Sequence, residues 1–209
     1  MSDSVNIGII LKQKAKSLYK EIFRKLIHLC SAFVPFFLSL YYWPVIFLLC
    51  FVLILYCISE SFRLKGKSFP IIGKITDIAA RKRDENKFVL GPVTLVIGII
   101  CAALLLPAEA AKVGIFALSF GDGTASLVGK VIGRIVIPFS GGKTVAGSLT
   151  CFIAVYISCF CVCKNVLISF FVALSAMIIE VLPLKDFDNV IIPFVVGGIF
   201  LIVQQVLIM

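Results

Sequence analysis

The basic residues of this chain are confined to alternate gaps between apolar runs, and that arrangement limits the fold more than any motif does. The 209 residues include 20 lysines and arginines. Eighteen of these fall in four segments: a leading tail (1–25), 60–87, 129–144 and 180–189. The intervening gaps carry only Lys112 and Lys164. Basic loops stay on the cytosolic side of a membrane, so the alternation predicts a bundle of about seven transmembrane helices with the N-terminus in the cytosol. One missed or extra span would put a basic loop on the wrong side. Composition agrees. The chain is 61% hydrophobic and 15% charged, with mean hydropathy +1.12, whereas about a quarter of a soluble domain is charged. The net charge of +9 is thereby assigned to topology and gives no reason to expect nucleic acid. The expected class is all-α: a polytopic membrane helical bundle.

The segments follow from hydropathy. Residues 1–25 read as a cytosolic tail with an amphipathic helix from about Leu11, whose Lys12, Lys16 and Lys20 face anionic headgroups. They lack an apolar core and cleavage site, so no cleaved leader is expected. Residues 26–209 form one integral domain. Its spans are expected near 26–42 (kinked at Pro35), 45–59, 88–106, 108–130, 145–163, 166–182 and 189–209. The loops 60–87 and 129–144 are cytosolic, and 71–83 is a candidate interfacial helix. The eight cysteines include no CxxC pair and read as small hydrophobes. Cys159, Cys161 and Cys163, two apart, do not converge on a helix.

The chemistry concentrates between Phe120 and Leu149, FGDGTASLVGKVIGRIVIPFSGGKTVAGSL. Asp122, Ser126, Lys130 and Arg134 are four apart, so a continuous helix puts them on one stripe. Gly121, Ala125, Gly129 and Gly133 form a neighbouring stripe of small residues, open to helix packing, a homodimer contact or lipid access. An aspartate inside a membrane helix is costly and marks a functional site by default. Its bland alternative is a structural pair with Lys130, but eight residues, about 12 Å along the axis, strain such a pair. The reading is therefore metal-binding or catalytic use of Asp122.

In SGGKT, Gly141 and Gly142 let backbone N–H groups converge, Lys143 adds charge, and the helix starting near Thr144 turns its positive end to the loop. The bland reading is a flexible turn with Thr144 as N-cap. It is not a Walker A loop, since Ile137 stands where that pattern requires glycine. Glu60–Arg63 (ESFR) is either a solvated i,i+3 pair or part of the site. Glu180, Asp186 and Asp188 surround a proline break. Asp188 would cap the last helix on the bland reading. On the functional one, Asp122, Glu180 and Asp188 share a Mg²⁺–triphosphate site, because Mg²⁺ takes few protein carboxylates and completes its shell with water and phosphate. His28, the only histidine, shares a face with Arg24 and is open to a role as base or as a helix-end hydrogen-bond partner. The run 81–87, with Glu85, is a solvated charge run or a phosphate or headgroup contact. All these groups gather toward the cytosolic side, where nucleotides and lipid hydroxyls both reach.

In order along the chain stand RKLIH (24–28), ESFR (60–63), RDE with Gly91 (83–91), FGDGTASLVGKVIG (120–133), GGKTVAGS (141–148), the 180–183 acid–proline pair and Asp188–Asn189. This ordered set resembles the CTP-dependent lipid kinases: phytol kinase, dolichol kinase and the yeast-type CTP-dependent diacylglycerol kinase, relatives of phosphatidate cytidylyltransferase. The resemblance implies transfer of the CTP γ-phosphoryl group to a membrane lipid alcohol, with a divalent cation, at the cytosolic face. It matches Arg24 and Lys25 to the family's basic pair, Asp122 to its aspartate, Gly129 and Gly133 to its glycines and Lys143 to its phosphate-loop lysine. Lys143, Lys130, Arg24 and Lys25 then neutralise the triphosphate, with Gly121, Gly141, Gly142 and Thr144 around it. The base for the alcohol stays open among Asp122, Glu60 and Glu180. The late HGG–D stretch of cytidylyltransferases is absent, which favours the kinase. The cytidylyltransferase remains the alternative, with a transporter using Asp122 and Glu180 as an ion relay and a structural membrane subunit as readings of other classes.

Overall fold

The computed structural model describes residues 18–66, Thr76 and 87–208. The amphipathic stretch ahead of Leu18, the interfacial helix at 71–83 apart from Thr76, and Glu85 lie outside the described residues. Seven helices run through the rest: α1 (Leu18–Leu40), α2 (Tyr42–Leu64), α3 (Gly91–Leu105), α4 (Ala108–Ile132), α5 (Val145–Cys163), α6 (Val166–Val181) and α7 (Asp188–Ile208). Five of them, α1, α2, α4, α5 and α7, are long and apolar enough to cross a membrane. The apolar α3 and α6 are shorter, with 15 and 16 residues, below the roughly 20 that span a bilayer upright. Seven apolar stretches thus become seven helices, five of them of spanning length, in an all-α integral membrane protein. The helix start at Leu18 also shifts the first element. Residues 18–25 continue unbroken into α1.

Local sequence explains the irregularities. Pro35 has no N–H for the Ser31 carbonyl, which accepts instead from Val34, and α1 tightens into a 3₁₀ turn at Ser31–Phe33. In α4, Ala117–Asp122 is a π turn, a form that often marks functional positions. The helix ends at Ile132 and Gly133 is extended. Arg134 therefore leaves the stripe that a continuous helix predicted for it, while Ser126 and Lys130 stay helical. Asn165 caps α6 by accepting from Leu167 and Ile168 N–H (3.0 and 3.1 Å).

The core lies among α3 to α7, around Ile115, Leu118, Val155, Val172, Val196 and Phe200. Close approach is built from small residues. Pro193 inside α7 cannot bond the Asn189 carbonyl one turn back, and α3 packs on that carbonyl through Gly98, where a Cβ would collide with it. Gly114 of α4 meets the Pro193 carbonyl in the same way. The glycine stripe of α4 packs on α5. Gly121 faces Val155 and Cys151, and Gly129 and Gly133 face Thr144. Of the three uses open to this stripe, helix packing is the one observed. The lipid-facing α2 buries only Ile46, Ser59 and Glu60.

Gly114→Ala should lower stability in detergent by about 1–3 kcal/mol through overpacking. Gly198→Ala, where a Cβ meets nothing within 4 Å, should be neutral or slightly stabilising. Thermal unfolding of the purified variants checks the pair.

Candidate functional site

Three side-chain pairs fasten α1 to α4. Lys25 Nζ bonds Asp122 Oδ2 at 2.5 Å, Lys130 Nζ bonds Glu21 Oε2 at 2.5 Å, and the hydroxyls of Ser31 and Ser119 lie 2.6 Å apart. The order reverses along the two helices, so they run antiparallel. Asp122 is 3% exposed and Lys25 5%. A buried charge survives only with a partner, and here each supplies the other. His28 Nδ1 stands 3.5 Å from the same Asp122 oxygen, one turn from Arg24, which itself pairs with Glu21. Asp122 does not pair with Lys130. Glu21, which the sequence reading passed over, takes that lysine. Its spacing of three and four from Arg24 and Lys25 was the only available signal.

Two clefts open beside this ladder. The first is lined by Arg24, Lys25, His28, Asp122, Asp186, Asp188 and Asn189, with an apolar wall from Ile27, Val89, Pro92 and Leu95. The second is lined by Glu21, Ser126, Gly129, Lys130, Gly142, Lys143, Thr144 and Glu180. Asp122 and Asp188 thus meet in one cleft, and Glu180 lines the other. Glu180, 3% exposed, accepts from Ser148 Oγ at 3.1 Å and has Lys143 Nζ 3.3 Å from its Oε1. Lys143 also donates to the Glu180 carbonyl. Gly141 and Gly142 sit at φ +73° and +99°, the left-handed region that glycine tolerates. Thr144 caps α5 by accepting from Gly147 N–H, as its bland reading had it.

Glu60 lines neither cleft. It is 1% exposed and accepts from Arg63 Nε and Nη2 at 2.8 and 2.7 Å and from Val89 N–H at 2.8 Å. Arg63 donates onward to the Lys87 carbonyl at 2.9 Å. Glu60 is therefore buried under a half-buried Arg63 rather than solvated, and the pair pins the segment that forms a wall of the first cleft. Asn189 does similar work. Its Nδ2 donates to Gly91 O and Thr94 Oγ1 (3.2 and 2.9 Å), which ties α7 to α3. Asp188 Oδ1 accepts from Asn189 N–H at 3.0 Å.

Among the described residues no three His, Cys, Asp or Glu side chains gather as a metal cage. The first cleft does hold three carboxylates beside two cations. That donor set fits a hard cation bound through one or two carboxylates and completed by phosphate oxygens and water.

The chain is 30% identical over 132 residues to Probable phytol kinase 1, chloroplastic, of Oryza sativa subsp. japonica, covering 54% of this chain and 42% of that one. It is 33% identical over 86 residues to CTP-dependent diacylglycerol kinase 1 of Eremothecium gossypii, covering 41% and 27%. The chain thus spans less than half the length of these relatives. Both are named kinases, and the similarity to the CTP-dependent lipid kinases that the ordered motifs carry is present in the aligned sequence as well. No family model and no solved structure matches the chain.

Lys25→Met leaves Asp122 buried without its cation and should cost about 3–5 kcal/mol. Lys25→Met combined with Asp122→Asn should cost less than the two single changes summed, because the pair is removed together. A double-mutant cycle on unfolding midpoints in detergent tests this coupling.

Proposed function

We propose that the chain is a CTP-dependent lipid-alcohol kinase, with its active site at the cytosolic face, that transfers a phosphoryl group to a membrane lipid hydroxyl. The observation that carries this reading is the buried Lys25–Asp122 pair, opening beside Arg24, His28 and Asp188 in one cleft and adjoining the Lys130–Lys143 cleft. Phosphoryl transfer asks a protein for positioning and charge neutralisation more than for covalent chemistry, and this end of the bundle concentrates both signs of charge. The names of the two relatives support the kinase class. Diacylglycerol, a polyprenol and a phytol-like prenol all suit the apolar wall of the first cleft.

Lys143 and Lys130 take the triphosphate, which replaces Glu180 and Glu21 as their partners, and the Gly141–Gly142 turn lets backbone N–H groups approach it. Arg24 and Lys25 neutralise it from the first cleft. Asp122 and Asp188 hold the Mg²⁺ or similar cation, which supplies charge stabilisation at the phosphate oxygens. The alcohol oxygen bonds the γ-phosphorus as the bond to the bridging oxygen breaks. CDP leaves, and the alcohol proton passes to a carboxylate. Of the three acids considered for that role, Glu60 is committed to Arg63 and Val89, which leaves Asp122, beside Lys25, and Glu180, released from Lys143 when the triphosphate takes that lysine.

In mixed micelles, γ-labelled CTP should place label in one of diacylglycerol, undecaprenol or geranylgeraniol, more than ATP does. Label passing instead from α-labelled CTP to phosphatidic acid would replace the kinase with the cytidylyltransferase. Asp122→Asn keeps an acceptor for Lys25, so it should cost less stability than Lys25→Met and still insert, while losing about 10²-fold or more in turnover. Near-normal activity removes Asp122 from the chemistry. Lys143→Met should act mainly on the nucleotide, raising its KM more than it lowers kcat.

A further inference from the structure

The proposed chemistry uses one side of the hairpin between α4 and α5 and leaves the other unexplained. Ile137 N–H donates to Lys143 O at 2.9 Å, Val145 N–H donates to Ile135 O at 3.0 Å, and Val136 and Thr144 form an antiparallel bridge. Ser140 Oγ closes the turn, donating to Ile137 O at 2.8 Å and accepting from Lys143 N–H at 3.0 Å. A turn fastened this way in water would be expected to carry polar residues outward. Here Ile135, Val136 and Phe139 point out, and Phe139 is 99% exposed. Phe139 also adopts φ +61°, a left-handed conformation unusual for a bulky residue.

The patch continues an apolar ridge on a helix long and apolar enough to cross a membrane. Val145, Leu149, Ile153 and Ile157 of α5 recur every four residues and are all exposed, so they form one ridge along a helix of spanning length. Such a ridge faces acyl chains. It runs into the hairpin without a break, because Val145 is bonded to Ile135. Val131 and Ile132 at the end of α4 are exposed as well, and the exposed Arg134 follows them. Apolar side chains that extend a lipid-facing ridge to the helix ends, with a cation beside them, have the composition of an interfacial element.

We propose that the 134–145 hairpin is a membrane-interface anchor. Phe139, Ile135 and Val136 sit at the headgroup–acyl boundary of the adjoining leaflet, and Arg134 faces anionic headgroups. The anchor does not depend on the kinase reading. If that reading holds, the anchor has a consequence for it: Lys143 lies on the returning side of the same hairpin, so seating the tip in the leaflet fixes the lysine relative to the plane where a lipid hydroxyl lies.

The chain's single tryptophan, Trp43, makes the test direct. Trp43→Phe combined with Phe139→Trp is reconstituted in phosphatidylcholine–phosphatidylglycerol vesicles, with iodide equilibrated on both sides. Quenching is then measured with iodide and with lipids spin-labelled at shallow or deep acyl positions. The anchor predicts strong quenching by the shallow label, weaker quenching by the deep one, and iodide quenching several-fold below that of free tryptophan amide. Full iodide quenching without lipid quenching would put the tip in water and overturn the proposal. Protection from all quenchers would put it under protein, a second copy included, and overturn it equally. Ile135→Trp in the same Trp43→Phe background is judged by the same outcomes should the first variant not purify. Neither readout requires catalysis, so failure of the anchor and failure of the kinase assignment are separable.

Discussion

The Lys25–Asp122 pair fixes how this bundle is assembled. Ionising either group alone in an apolar interior is strongly unfavourable, so α1 and α4 satisfy both charges only in one register. Glu21 with Lys130 and Ser31 with Ser119 hold the same register on either side. The neighbouring stripe of α4 has almost no side chains, and its glycines let α5 approach until Thr144 and Val155 touch it. One helix thus presents charge to one neighbour and bare backbone to another. The π turn ending at Asp122 lies where those two demands meet.

Around that helix, buried polar groups do structural work that keeps a cleft open. Glu60 and Arg63 hold the strand of chain before α3, and Asn189 ties the starts of α3 and α7 together. In a medium without water these groups must find protein partners, and the partners they find are the cleft's own walls. Pro193 adds a second device. Its missing N–H leaves the Asn189 carbonyl at the surface of α7, and Gly98 and Gly114 bring α3 and α4 close enough to cover the exposed backbone.

The two clefts divide the charged residues in a way that suits two ligands meeting. Three carboxylates face two cations in the first, two lysines are matched by two glutamates in the second, and the α1–α4 ladder contributes to both through Lys25 and Glu21. The Lys143–Glu180 contact neutralises the lysine of the glycine turn. Glu180, read in the sequence beside a proline break, is in space the partner of Lys143 on the glycine turn.

By itself the sequence determined the membrane class and the helical architecture, because hydropathy and the placement of basic residues are one-dimensional properties that lipid reads directly. The span predicted at 145–163 is the helix Val145–Cys163, and the ordered motifs pointed to the same family as the aligned relatives. Only the tertiary structure decided who partners whom. Asp122 lies 97 residues from Lys25 and Glu180 lies 37 from Lys143, and no local spacing encodes such choices. The continuous stripe to Arg134 failed because Gly133 breaks the helix. Glu21 went unnoticed because an acid in a polar tail looks solvated until α4 covers it. Charge pairing across helices depends on the register of packed surfaces, and the packing of glycines and a proline, set far from the acids themselves, fixes that register.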